Sequence, residues 1–117
     1  MQKILINTLI KLLMKTIDLQ THLNIKKKAG LNKKIGIVQS LWNIDITKRL
    51  YDGCHKTLIQ YGVNEKNINT VKVPGSFELI YGAKNMALNN PKLDAIIVIG
   101  SIIKGETPHF DFISQAI

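Results

Sequence analysis

Cysteine is nearly absent. The single thiol, Cys54, excludes an internal disulfide and fits a reducing compartment. Long apolar runs are missing as well. Residues 1–13 are apolar but broken by Lys3 and Lys11, well short of the ~20 residues that a membrane-spanning helix needs. They also lack the uninterrupted stretch and small-residue cleavage site of a signal peptide. A cytoplasmic protein with no membrane partner is expected, with a targeting segment over residues 1–30 as the alternative. Neither GxxxxGK[ST] nor GxGxxG occurs, so nucleotide binding has no motif behind it. No close Cys/His cluster has metal-ligand spacing, so no metal site is expected.

Acidic residues are also scarce, with 8 Asp and Glu against 16 Lys and Arg for a formal charge of +8. The surplus is local. Residues 1–34 contain eight lysines and one acid, Asp18, whereas residues 35–117 contain eight Lys and Arg against seven acids. A basic arm can bind nucleic acid, but no aromatic residue interleaves with these lysines, and a solubilising extension is the preferred reading.

What remains is ordinary globular material. Apolar residues make up 45% and charged residues 21% of 117 residues, enough for one domain with one core. Residues 1–31 read as a basic N-terminal extension. Leu9, Leu12, Leu13 and Ile17 in it have helical spacing, and Ala29 and Gly30 mark its end. The domain proper is residues 32–117.

Within the domain, strands and helices alternate. Residues 35–38 (Ile-Gly-Ile-Val) form a short buried-strand run. A helix follows, capped by Asn43 or Asp45, with Ile46, Leu50, Cys54 and Leu58 as its buried stripe and Gly62 as its stop. Residues 69–73 make a second strand, with Val71 and Val73 on one face. Pro74 and Gly75 break it, and Ser76 is the candidate N-cap of a helix reaching Asn89, with Phe77, Ile80, Ala83 and Ala87 or Leu88 toward the core. Residues 95–99 (Ala-Ile-Ile-Val-Ile) are the clearest strand. A third helix opens with Thr107 as its cap, Pro108 in the first helical position and Asp111 in the first turn. The order β-α-β-α-β-α implies a parallel α/β sheet with right-handed crossovers, and such sheets bind ligands outside the carboxyl ends of their strands.

Three segments fall at those ends. In residues 100–110, a glycine-bearing loop runs into a helix N-terminus, which suits a phosphate; Gly105 admits close approach, Thr107 offers a hydroxyl, and Lys104 adds charge or faces solvent. His109 in the first turn is placed for proton transfer, or is a surface or capping histidine. In residues 73–78, Pro74 and Gly75 set a sharp turn. Glu78 stabilises a helix start or meets a ligand, and Phe77 is core or platform. In residues 39–43, Trp42, the only tryptophan, stacks on a heterocycle or packs. His22 and His55 have no comparable setting and read as structural or solvated.

Together these segments resemble the lumazine synthase family: Trp42 and Asn43 after the first strand, Val-Pro-Gly-Ser-Phe-Glu at 73–78, and Gly-Ser-Ile-Ile-Lys-Gly-Glu-Thr-Pro-His-Phe at 100–110. The resemblance covers about residues 33–117. It implies a three-layer αβα sandwich with a parallel sheet of flavodoxin-like type. It also implies synthesis of 6,7-dimethyl-8-ribityllumazine in riboflavin biosynthesis, from 5-amino-6-(D-ribitylamino)uracil and 3,4-dihydroxy-2-butanone 4-phosphate, without metal or cofactor. By matching position, Trp42 would stack on the pyrimidine and Ser76, Phe77 and Glu78 would hold the ribitylamino-uracil. Ser101, Ile102 and Ile103 would line the same pocket, Glu106 and Thr107 would bind the phosphate, and His109 would move protons. Lys104 stands where arginine is common. The family forms homo-oligomers, pentamers or 60-subunit shells. Its members continue with another strand and further helices, which supply an aromatic residue and a phosphate-binding arginine across a subunit boundary. The resemblance therefore implies a chain lacking those units, with little lumazine synthesis of its own; a non-catalytic relative that keeps ligand binding or assembly is the alternative.

Overall fold

A computed structural model describes residues 25–117. The helical spacing at residues 9–17 and His22 lie outside the described residues. Among the described residues, three strands and three helices alternate: β1 (Ile35–Ser40), α1 (Ile44–Gln60), β2 (Ile68–Val73), α2 (Leu79–Asn89), β3 (Ala95–Ile99) and α3 (His109–Ala116). A single 3-10 turn, Glu65–Asn67, leads into β2.

The sheet is parallel, in the order β2-β1-β3, with Ile35 opposite both Ile68 and Ala95. Asp94 fastens its amino end, donating its N–H to the Lys34 carbonyl (2.8 Å) and accepting the Lys34 N–H on its carboxylate (2.7 Å). β1 is central and buried along its whole length because helices cover both faces. On one face Ile35, Ile37, Val63 and Ile99 pack with Tyr51, Cys54 and Leu58 of α1. On the other, Val38 and Val73 pack with Leu79, Ala83 and Met86 of α2. This is the three-layer αβα arrangement that the family resemblance implies, built on the expected parallel sheet.

The buried stripes differ from those expected. In α1, Ile46 and Leu50 are half-exposed, and the residues facing the sheet are Thr47, Tyr51, Cys54 and Leu58. A strict four-residue repeat rotates by about 40° per step around a helix of 3.6 residues per turn. A stripe anchored at Leu58 and Cys54 therefore leaves the sheet by Leu50, whereas the 4-3-4 spacing stays on it. In α2 the buried residues are Leu79, Gly82 and Met86, while Ile80 and Leu88 are exposed, as is Phe77 ahead of the helix. Gly82 sets this phase: a Cβ there would lie 2.8 Å from Val38 Cγ1 and 3.0 Å from Val73 Cγ1, so the helix sits closest to the sheet where a side chain is missing. Met86 and Leu79 follow on the same face.

The caps differ as well. Asn43 occupies the N-cap of α1 in a left-handed conformation (φ 59°) and makes no side-chain cap bond. Ser76 does not cap α2, which begins after Glu78, and α3 begins at His109 with Pro108, not Thr107, in the cap position.

Candidate active site

All three strands deliver their carboxyl ends to the same side, and the segments that follow are laced together there. Leu41 donates its N–H to the Val73 carbonyl (2.8 Å) and Trp42 to the Pro74 carbonyl (2.9 Å), which extends the β1–β2 pairing into the loops. Gly75 donates to the Glu78 carboxylate (3.0 Å), closing the turn between β2 and α2. Ser76 Oγ donates to the Ser101 carbonyl (2.9 Å), bridging to the segment after β3. At Gly100 a Cβ would meet Leu79 Cδ1 at 2.6 Å and Ser76 Oγ at 2.9 Å, so glycine lets the end of β3 press against the start of α2.

Between these segments lies a cleft of about 400 Å³, lined by Trp42, Pro74, Gly75, Ser76, Phe77, Glu78, Ser101, Ile102, Ile103, His109 and Ile113. Its size is that of a small-molecule site, and it stands where the strand order 2-1-3 reverses direction, the usual ligand position in an open parallel sheet. Trp42 is 72% exposed and Phe77 52%, so neither packs into the core of the described residues, and both border the cleft. His109 opens α3 on the cleft side, with Ile113 one turn further along the same face.

Eight of the ten residues singled out in the sequence therefore come together. Glu106 and Thr107 do not: both are exposed, precede the first turn of α3 and stand outside the cleft lining. Pro74 and Gly75 were visible as a turn without an assigned role. Ile113 was missed, although its spacing of four from His109 on one helix carried the signal. His55 lies away from the cleft, stacked on Tyr51 and paired with Glu65 (2.9 Å), in keeping with a structural residue. Among the described residues no group of three or more His, Cys, Asp or Glu is placed to hold a metal ion, and no helix is long and apolar enough to cross a membrane.

Fold and cleft define the class: an α/β domain of flavodoxin-like strand order with a small-ligand site at the carboxyl edge of its sheet. The family model for 6,7-dimethyl-8-ribityllumazine synthase matches residues 32–117, and the chain belongs to that family. It is 52% identical over 84 residues to the 6,7-dimethyl-8-ribityllumazine synthase of Bacteroides fragilis, an alignment covering 72% of this chain and 58% of that protein. The corresponding synthase of Parabacteroides distasonis is 47% identical over 83 residues (71% and 51%), and that of Flavobacterium johnsoniae is 51% identical over 84 residues (72% and 44%). The chain thus spans about half the length of the curated relatives it matches.

Proposed function

We propose that this chain forms the ribitylamino-uracil half of a lumazine synthase active site. The reaction joins 5-amino-6-(D-ribitylamino)uracil to 3,4-dihydroxy-2-butanone 4-phosphate. An amine attacks a ketone and water is lost to give an imine, inorganic phosphate leaves, and ring closure expels a second water. The observation that carries the reading is the convergence of Trp42, the 74–78 turn, residues 101–103 and His109 on one cleft.

Each side chain has a task in it. Trp42 and Phe77 offer aromatic faces to the pyrimidine, and the turn bearing Ser76 and Glu78 holds its polar edge. Residues 101–103 border the ring from the end of β3. His109 takes up and returns protons as the amine becomes an imine and as phosphate departs, a contribution of roughly 10²–10⁴-fold for a well-placed acid–base group. The phosphate is assigned to the loop before α3, where Glu106 and Thr107 precede His109. Orienting two substrates supplies the rest of the acceleration. No metal or cofactor is assigned. The proposed setting is a cytoplasmic homo-oligomer, pentamer or 60-subunit shell, with residues 1–31 as a basic extension of the domain.

Calorimetric titration of the whole chain with 5-nitro-6-(D-ribitylamino)uracil, which lacks the attacking amine, tests the proposal. Saturable 1:1 binding, lost on Phe77→Ala combined with Trp42→Ala, is expected. Binding that survives the double substitution would place the ligand elsewhere.

A further inference from the structure

Ser76 carries a hydroxyl that helix capping does not use. α2 starts at Leu79 with Glu78 in the cap position, so the local role open to a serine before a helix is not taken. Its Oγ instead donates to the carbonyl of Ser101, 25 residues away, at 2.9 Å. Ser76 is 9% exposed, so water competes little for that bond.

The surroundings leave the hydroxyl little freedom. Gly100 lies against it so closely that a Cβ there would sit 2.9 Å from Ser76 Oγ. Backbone bonds already tie the segment after β1 to the one after β2; the Ser76 hydroxyl is the side-chain bond, among the described residues, that ties the segment after β2 to the one after β3. Ser101 lines the cleft, and its own hydroxyl is buried without a partner among the described residues. Its hydroxyl therefore makes no hydrogen bond that holds residues 101–103, whereas the Ser76 hydroxyl bonds its carbonyl.

We propose that Ser76 is a positioning residue: its hydroxyl holds the Ser101 carbonyl, and through it the backbone of residues 101–103, in the place where that backbone borders the bound pyrimidine. The proposal rests on the cleft being the ribitylamino-uracil site. Ser76 acts on the ligand through Ser101, and the loop it restrains is the one leading to His109.

Two measurements on the full chain test it. Ser76→Ala removes the donor and Ser76→Thr keeps it; if the alanine variant does not fold, Ser76→Cys, nearly the same in volume but a weak donor, takes its place. Amide hydrogen exchange of Ser76→Ala should rise several-fold across residues 100–104 while β1 and α1 exchange as in wild type, and threonine should reverse the rise. Affinity for 5-nitro-6-(D-ribitylamino)uracil should fall roughly three- to tenfold with alanine, the loss expected from one hydrogen bond, and return with threonine. Unchanged exchange at 100–104 overturns the tether. Raised exchange with unchanged affinity overturns the positioning role. Raised exchange in a chain whose wild type binds no probe supports the tether and refutes the reading of the cleft.

Discussion

Gly53 and Gly82 both lie inside helices, and alanine at either gains the same ~1 kcal/mol of helix propensity. They differ in what a methyl group would meet. At Gly53 nothing lies within 4 Å; at Gly82 the new carbon would stand 2.8 Å from Val38 Cγ1 and 3.0 Å from Val73 Cγ1. Non-bonded carbons settle about 3.5–4.0 Å apart, so these atoms must separate by roughly half an ångström or more. Val38 is fully buried in the central strand and cannot retreat, which leaves α2 to shift or Val73 to leave its rotamer. Overpacking of this kind costs about 1–3 kcal/mol. Gly53→Ala is therefore expected to stabilise the fold by roughly 0.5–1 kcal/mol, and Gly82→Ala to run from neutral to about 2 kcal/mol destabilising. For a domain of this size 1 kcal/mol moves the midpoint by about 4–8 °C, so the two variants should melt at least about 2 °C apart. Thermal and urea unfolding followed by circular dichroism, at matched protein concentration, measures the difference. If Gly82→Ala gains as much stability as Gly53→Ala, α2 does not approach the sheet as described.

The remaining expectations concern single side chains. Trp42 should report ligand directly: its emission shifts on titration with the nitro-pyrimidine probe, and Trp42→Ala weakens binding about three- to tenfold, the worth of an aromatic stack; binding seen by calorimetry with no change in emission would rule out stacking. In a version extended to the length of the relatives and assayed for lumazine formation, His109→Ala should lower turnover by about one to three orders of magnitude while probe affinity stays within about threefold; turnover within about twofold of the unsubstituted protein removes His109 from the chemistry. Burial pushes the Cys54 thiol above its ordinary value of 9.0 by disfavouring the thiolate. Its contribution to stability is thus whole below that value and is lost as pH rises through the higher folded-state one. Iodoacetamide at pH ~8 should label native Cys54 more slowly than the urea-unfolded chain, and equal rates would contradict its burial. Tyr51→Phe removes a hydrogen bond to Thr70 Oγ1 (2.9 Å) between α1 and β2 and should cost about 0.5–1.5 kcal/mol by urea denaturation.

The alternation of strands and helices was legible because each strand is marked by an apolar run. β3 matches its expected bounds, and β1 extends two residues further because its last two, Gln39 and Ser40, are polar yet buried. Polarity hides a strand end that tertiary packing covers. Helix phase was less legible. A stripe read at four-residue spacing chose Ile46 and Leu50, and the true face depends on Thr47, whose burial no hydropathy signals. Most of the cleft could be read because its residues cluster in three short segments that the topology must bring together. The roles read from local context failed where the partner is distant. Ser76 looks like a cap from its neighbours in sequence, and its bond goes to Ser101 instead. Glu106 and Thr107 look like a helix start, but α3 begins two residues after Thr107, at His109.

The central place of β1 has a consequence for synthesis on the ribosome. Of the described strands, the first made is the one that both others must pair with, and Asp94, which fastens it to β3, is 60 residues downstream of Lys34. At about 5–20 residues per second, that interval lasts roughly 3–12 s. During it α1 and then α2 can cover the two faces of the segment that opens β1, but its β3 edge stays open and Ile35 and Ile37 lack their contact with Ile99. Nascent chains arrested between α2 and β3 should for that reason bind hydrophobic-segment chaperones, and release should coincide with emergence of residue 99 from the exit tunnel.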